Sequence, residues 1–189
     1  MKGKLTAVAL VVSSFFAAGH ALASDGLVHF RGEVIDSTCE VTADTKDQNV
    51  DLGKVNRTAF NGVGSTAAPT AFEIDLEKCP DTYTKAAVRF DGVQAADGKG
   101  DLAIGNPAST GAPGDYTGSG AVATASGIAI RIYNRGDDSQ VELYKDSAYS
   151  DIAAGKAQML FTARYIATDV DVTPGTANAD SQFTIEYQK

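Results

Sequence analysis

The 189-residue chain has no tryptophan and few of the residues on which most catalytic sites depend: two cysteines, two histidines and two methionines. One histidine, His20, lies in the leader described below, so His29 stands alone in the remainder. A single histidine on an alternating segment faces solvent or packs far more often than it catalyses. No Gly-x-Ser-x-Gly elbow, phosphate-binding glycine loop or metal-ligand cluster is present. Glu73 and Asp75 alternate like a paired-carboxylate site, but the aromatic-lined cleft such chemistry requires has no tryptophan to build it. Asp91, Asp97 and Asp101 lack the dense alternating acids and terminal glutamate of a calcium loop and read as an acidic turn. Neither an enzyme, a cofactor nor a bound metal is expected. Basic residues are also short, 16 against 24 acids, a net charge of -8. Such a chain repels phosphate backbones, which argues against nucleic acid as a partner.

Beyond the first 23 residues no run approaches the roughly 20 apolar residues that a membrane helix needs. Within them, Lys2 and Lys4 precede an apolar stretch from Ala7 to Ala18 and the small-x-small triplet Ala21-Leu22-Ala23. This is the pattern of a secretory signal peptide cleaved after Ala23. The expected product is an exported chain of about 166 residues with a charge near -10, because the leader carries two lysines and no acid. That length suits one domain with a real core. Cys39 and Cys79 both remain, and an oxidising compartment favours a disulfide between them. Closing a loop of about 40 residues contributes about 4 kcal/mol in the chain-entropy model. The alternative, a zinc site, would have to be built from two cysteines and one histidine, a poor ligand set.

Apolar residues recur in short, alternating runs. Cys39 to Ala43, Val50 to Leu52, Phe72 to Leu76, Ala86 to Phe90, Ile128 to Ile132, Val141 to Leu143, Leu160 to Ala167 and Phe183 to Tyr187 all read as strands. The turn-forming run Asn134 to Asp138 predicts a hairpin or neighbouring strands on either side of it. Thr173-Pro-Gly175 marks a turn before the last strand. Gln94 to Ser126, rich in Gly, Ala, Ser and Thr, reads as long loops or weak strands. Helical periodicity is absent past the leader, apart from a weak turn between 56 and 68. With the leading segment, about nine strands in one domain predict an antiparallel β-sandwich.

The leading segment, Gly26-Leu-Val-His-Phe-Arg-Gly-Glu-Val34, places Gly26, Val28, Phe30, Gly32 and Val34 on one face and mostly polar residues on the other. It begins almost at the new amino terminus, where a chain is disordered unless something holds it. From the residues alone, a strand paired within its own domain is the ordinary expectation.

A resemblance reverses that expectation. The leading segment followed by Cys39, then Val50-Asp-Leu-Gly-Lys-Val55, Phe72 to Leu76 with Cys79 close behind, Phe161 to Thr168, Thr173 to Ala179 and Phe183 to Gln188 resemble, in order, the blocks of type 1-like fimbrial subunits. These are the pilins assembled by the chaperone–usher route. The resemblance implies an incomplete immunoglobulin-like antiparallel β-sandwich completed by a donor strand. It divides the chain into a signal peptide (1–23), an amino-terminal extension (24–36) and a pilin domain (37–189). Val28 and Phe30 would fill apolar pockets in a neighbour's groove, with Gly32 where the groove is shallow and Val34 continuing the same face. Phe183, Ile185 and Tyr187 would border the groove and meet the chaperone. The implied partners are other copies of the chain in a filament, a periplasmic chaperone and an outer-membrane usher, with export through the periplasm to a fimbrium on the cell surface that supports adhesion. The last residue, Lys189, extends past the family's usual Tyr-Gln ending. Alternatives are a minor adaptor or tip subunit of the same system and, from another class, a secreted sugar-binding β-sandwich or enzyme.

Overall fold

The computed structural model describes residues 28–32, 38–105 and 124–189. Residues 28–32 belong to a first unit, Met1–Val34, and all the other described residues to a second, Ile35–Lys189. Within the first, residues 28–32 carry no strand assignment, and the side chains of Val28 and Phe30 are exposed. The leader, Gly26 and Val34 lie outside the described residues.

The second unit is an antiparallel sandwich. Its described elements are β1 (Glu40–Val41), α1 (Ala43–Lys46), β2 (Thr66–Glu77), β3 (Lys85–Asp91), β4 (Leu102–Ala103), β5 (Ile128–Asn134), β6 (Gln140–Val141), β7 (Ser150–Asp151), β8 (Ala157–Ala167) and β9 (Gln182–Gln188). The larger sheet runs β1-β2-β8-β5-β4, with β6 also paired to β5; the smaller is β7-β3-β9. Period-two alternation explains the inner faces. Ile74 and Leu76 of β2, Val88 and Phe90 of β3, and Met159 and Phe161 of β8 are all buried. Each such side chain contributes about 1.5–3 kcal/mol by leaving water. The intervening residues turn outward, where Arg89 of β3 meets Glu186 of β9 at 3.7 Å.

Several boundaries differ from the sequence expectation. β2 begins at Thr66, well before Phe72, because a register shift between Ala67 and Thr70 carries the ladder past Pro69, which has no N–H to donate. Val50 to Leu52 is not a strand. It is extended chain whose Val50 and Leu52 pack against the core. α1, four residues long, is too short to show helical periodicity, and the weak helical turn near 56 is a 3-10 turn at Arg57–Ala59. The hairpin around Asn134 to Asp138 forms as β5 and β6. Cys39 and Cys79 are joined, S–S 2.06 Å, tying the entry to β1 to the chain just beyond β2.

One expectation is corrected. Asp101 is not a solvated acid of a turn: its side chain is 0% exposed and takes both Arg131 nitrogens, Nε and Nη2, at 2.7 Å each. Gln140 Nε2 adds a third donor at 3.2 Å. A carboxylate removed from water must be paired, and the sandwich supplies the partner from β5, 30 residues away in sequence. Asp97 does close a turn, accepting the Lys99 N–H at 3.1 Å.

Candidate functional site: an uncovered groove beside the last strand

The two sheets are unequal. Among the described residues β9 has one ladder partner, β3, and ends its sheet, while the inner face of the larger sheet continues past it. The shortfall leaves a cleft of about 780 Å³. Its floor is apolar and comes from the larger sheet: Phe72 and Ile74 of β2, Ile130 and Ile132 of β5, and Ala163 and Tyr165 of β8. Phe90 and Phe183 form the edge on the smaller sheet. The chain from Thr45 to Gly53 makes one wall, and Ala177 to Ser181, leading into β9, makes the other.

The aromatic residues are packed together. Phe90 meets Phe161 edge-on at 5.1 Å, Phe72 lies 5.3 Å from Phe161, and Phe90 is 6.5 Å from Phe183. The groove therefore opens directly onto the centre of the core. Tyr165 donates its hydroxyl to the Ala177 carbonyl at 3.1 Å, closing the far wall onto the floor. Burial, with the Asp51 carboxylate as a lesser cause, holds this phenol above its ordinary range. Leu102 also lines the cleft, and Gly92 gives it room: a Cβ there would stand 2.6 Å from Leu102 Cδ1. Lys46, Asp47, Asp51 and Asp180 are the charged residues of the walls. A cleft with an apolar floor and polar walls, beside the end strand of a sheet, has the form of a missing strand. Among the described residues no three histidine, cysteine or acidic side chains are grouped to hold a metal ion.

Comparison with known proteins matches this geometry to a family. Residues 28–188 match the fimbrial protein family model.

The chain belongs to the fimbrial protein family.

It is 42% identical to a type-1 fimbrial protein subunit of Serratia marcescens over 97% of both chains. It is 37% identical to a probable major fimbrial subunit, LpfA, of Escherichia coli O157:H7, over 97% of this chain and 94% of that one. Among solved structures, a Burkholderia pseudomallei antigen and type I fimbria protein is 31% identical with a TM-score of 0.54, over 81% of this chain and 91% of that one. The P pilus rod subunit PapA, 18% identical, shares the fold with a TM-score of 0.61, over 80% of this chain and 100% of that one. The fold is thus the incomplete immunoglobulin-like sandwich of chaperone–usher pilus subunits, and the chain is a structural subunit of a pilus. Its relatives are structural fimbrial proteins, which places it on the cell surface as part of a fimbrium.

As a fimbrial subunit, the chain places the expected site residues as follows. Phe183 lines the groove; Ile185 and Tyr187 continue the same inward face of β9 and pack against the core. Phe183, Ile185 and Tyr187 stand opposite Phe90, Val88 and Ala86 of β3. Val28 and Phe30 are 74% and 93% exposed, and nothing lies within 4 Å of a Cβ built at Gly32. Sequence reasoning did not assign the floor residues, Phe72, Ile130, Ile132 and Tyr165, to the groove. Their alternation marks them as inward, but no sequence signal distinguishes an inward position that a second sheet covers from one it leaves open.

Proposed function

We propose that the amino-terminal extension, residues 24–36, fills the groove of another copy of the chain, and that the chain is the repeating shaft subunit of its fimbria. The uncovered groove beside β9 carries this reading. An inserted strand would add its backbone to β9 and present alternate side chains to the floor. Gly26, Val28, Phe30, Gly32 and Val34 supply that alternation. Each copy gives one strand and receives one, a head-to-tail contact that repeats into an open filament.

Before assembly the same groove needs a temporary occupant. A periplasmic chaperone supplying a strand to β9, and an outer-membrane usher exchanging it for the next extension, meet that need on the way to the surface. The role is mechanical and non-catalytic, and the buried strand makes the fibre's persistence a matter of rate. The reading predicts that deletion of residues 24–34 abolishes filaments seen by electron microscopy while the domain still folds with its chaperone. Normal filaments from the deleted chain would overturn it.

A further inference from the structure

Asn61 is the only asparagine of the chain that precedes a glycine. It is exposed, in the turn between the 3-10 turn at Arg57–Ala59 and β2. Both sides of this turn are fastened. Phe60 packs against the core and donates its N–H to the Arg57 carbonyl at 3.1 Å. Ser65 donates its N–H and its hydroxyl to the Gly62 carbonyl at 3.1 and 2.6 Å, and Gly64 donates to the Ala167 carbonyl at 2.8 Å. Between these anchors, the Asn61 side chain and the Gly62 N–H make no hydrogen bond with the described residues. Gly62 has φ +140°, which a residue with a side chain rarely adopts, and nothing lies within 4 Å of a Cβ built there. Two other asparagines are held in place. Asn56 Oδ1 accepts the Thr58 N–H and hydroxyl at 3.0 Å each. Asn134, which is buried, donates to Ser139 Oγ at 2.9 Å and accepts the Ala148 N–H at 3.1 Å.

We propose that Asn61 is a self-modification site, converted with water to aspartate and isoaspartate in the assembled fimbria. The Gly62 backbone nitrogen gives its proton to hydroxide and attacks Asn61 Cγ. A C–N bond forms, the Cγ–Nδ2 bond breaks, and ammonia leaves with a proton taken from water. The product is a five-membered succinimide. Water then opens the ring at either carbonyl: one opening gives aspartate, the other isoaspartate, in which the main chain runs through the former side chain. In sum one water enters and one ammonia leaves, with no oxidation or reduction. The missing Cβ of Gly62 and the open space around it admit the ring, the exposed turn admits hydroxide, and asparagine is among the thermally labile residues. Each event adds a negative charge to an already acidic chain, and isoaspartate lengthens the main chain between two fastened ends. A fibre that persists for kinetic reasons lets a slow reaction accumulate. The reaction at Asn61 does not depend on which segment fills the groove.

The test incubates intact fimbriae at neutral and mildly alkaline pH and follows the tryptic peptide Thr58–Lys78, in which Asn61 is the only amide side chain. Mass spectrometry reads the amide-to-acid conversion, and electron-transfer fragmentation separates aspartate from isoaspartate. A synthetic peptide of the same sequence gives the rate for an unrestrained chain. Conversion in fimbriae is expected at no less than about a tenth of the peptide rate, with both products formed. It should rise about tenfold per pH unit, as the attacking nitrogen loses its proton more often. In fimbriae carrying Asn61→Gln, whose longer side chain has to close a six-membered ring, conversion should fall at least about tenfold. Slower conversion of Asn61 than that floor, aspartate without isoaspartate, or equal conversion in the Asn61→Gln fimbriae would overturn the proposal.

Discussion

Replacing Arg131 by methionine should destabilise the sandwich by an amount that depends on pH, and the size of that dependence follows from the geometry. Asp101 is fully buried and its two carboxylate oxygens are held by Arg131, itself 16% exposed. Burial, joined by the neighbouring Asp97 carboxylate, lifts the Asp101 carboxyl above its ordinary 3.8 against the opposing pull of Arg131. Arg131 is raised in turn, chiefly by its hydrogen bonds to Asp101. These two directions describe a pair whose desolvation cost is comparable with its attraction, as is common for buried ions. Remove the guanidinium, and Asp101 must either stay ionised between Gln140 and the Asp97 carboxylate or take up a proton. Protonation is the cheaper course, and it sets a ceiling on the damage. Neutralising a carboxyl of ordinary acidity at pH 7 costs about 1.36 kcal/mol per unit of separation, roughly 4 kcal/mol in all.

The sign follows from linkage. A carboxyl protonated in the folded state and ionised in the unfolded state makes stability fall as pH rises between its two pKa values. The penalty for Arg131→Met should therefore shrink by up to about 2.7 kcal/mol between pH 7.5 and pH 5.5. Urea denaturation of the variant and parent domains, each with a strand peptide in the groove, measures this at both pH values. The double variant Arg131→Met with Asp101→Leu should recover most of the loss and show no such slope, because replacing both partners leaves no buried charge. A pH-independent penalty in Arg131→Met, or a double variant worse than the single, would refute the reasoning.

Two further outcomes are expected. Phe161→Ala removes a ring that is 1% exposed and in contact with Phe72 and Phe90 beneath the groove, and should cost about 3–5 kcal/mol by denaturant melt, with weaker binding of a strand peptide. The phenols of Tyr165 and Tyr187 are raised above 10.0, burial being the first cause in each. Their contribution to stability is thus present below pH 10 and lost as pH rises through the folded values, so tyrosinate absorbance should appear together with loss of tertiary circular dichroism; early, non-cooperative ionisation of both groups would contradict it.

Particular residues show how much of this was legible beforehand. Phe72 to Leu76 and Phe183 to Tyr187 declare themselves by strict alternation, since a strand with one buried face permits little else. Asn134 to Asp138 declares its hairpin through turn chemistry. Asp101 does not declare its burial: a lone aspartate among glycines looks solvated, and its partner Arg131 is named only by the pairing of β4 with β5. β4 and β7, two residues each, are too short for any periodic signal and exist through the ladders they join.

The amino-acid sequence alone determined the class of structure and the direction of the functional argument. Alternation is a local property, so it specifies strands, their inward faces and a leading segment shaped like a strand. With no tryptophan, two histidines and two cysteines, the chain has few of the side chains on which most catalytic sites depend. Tertiary structure decided where the sandwich is incomplete. A groove is a deficit between two sheets, set by how many strands each contributes and which stand at the edges, and these depend on pairings between residues far apart in the chain.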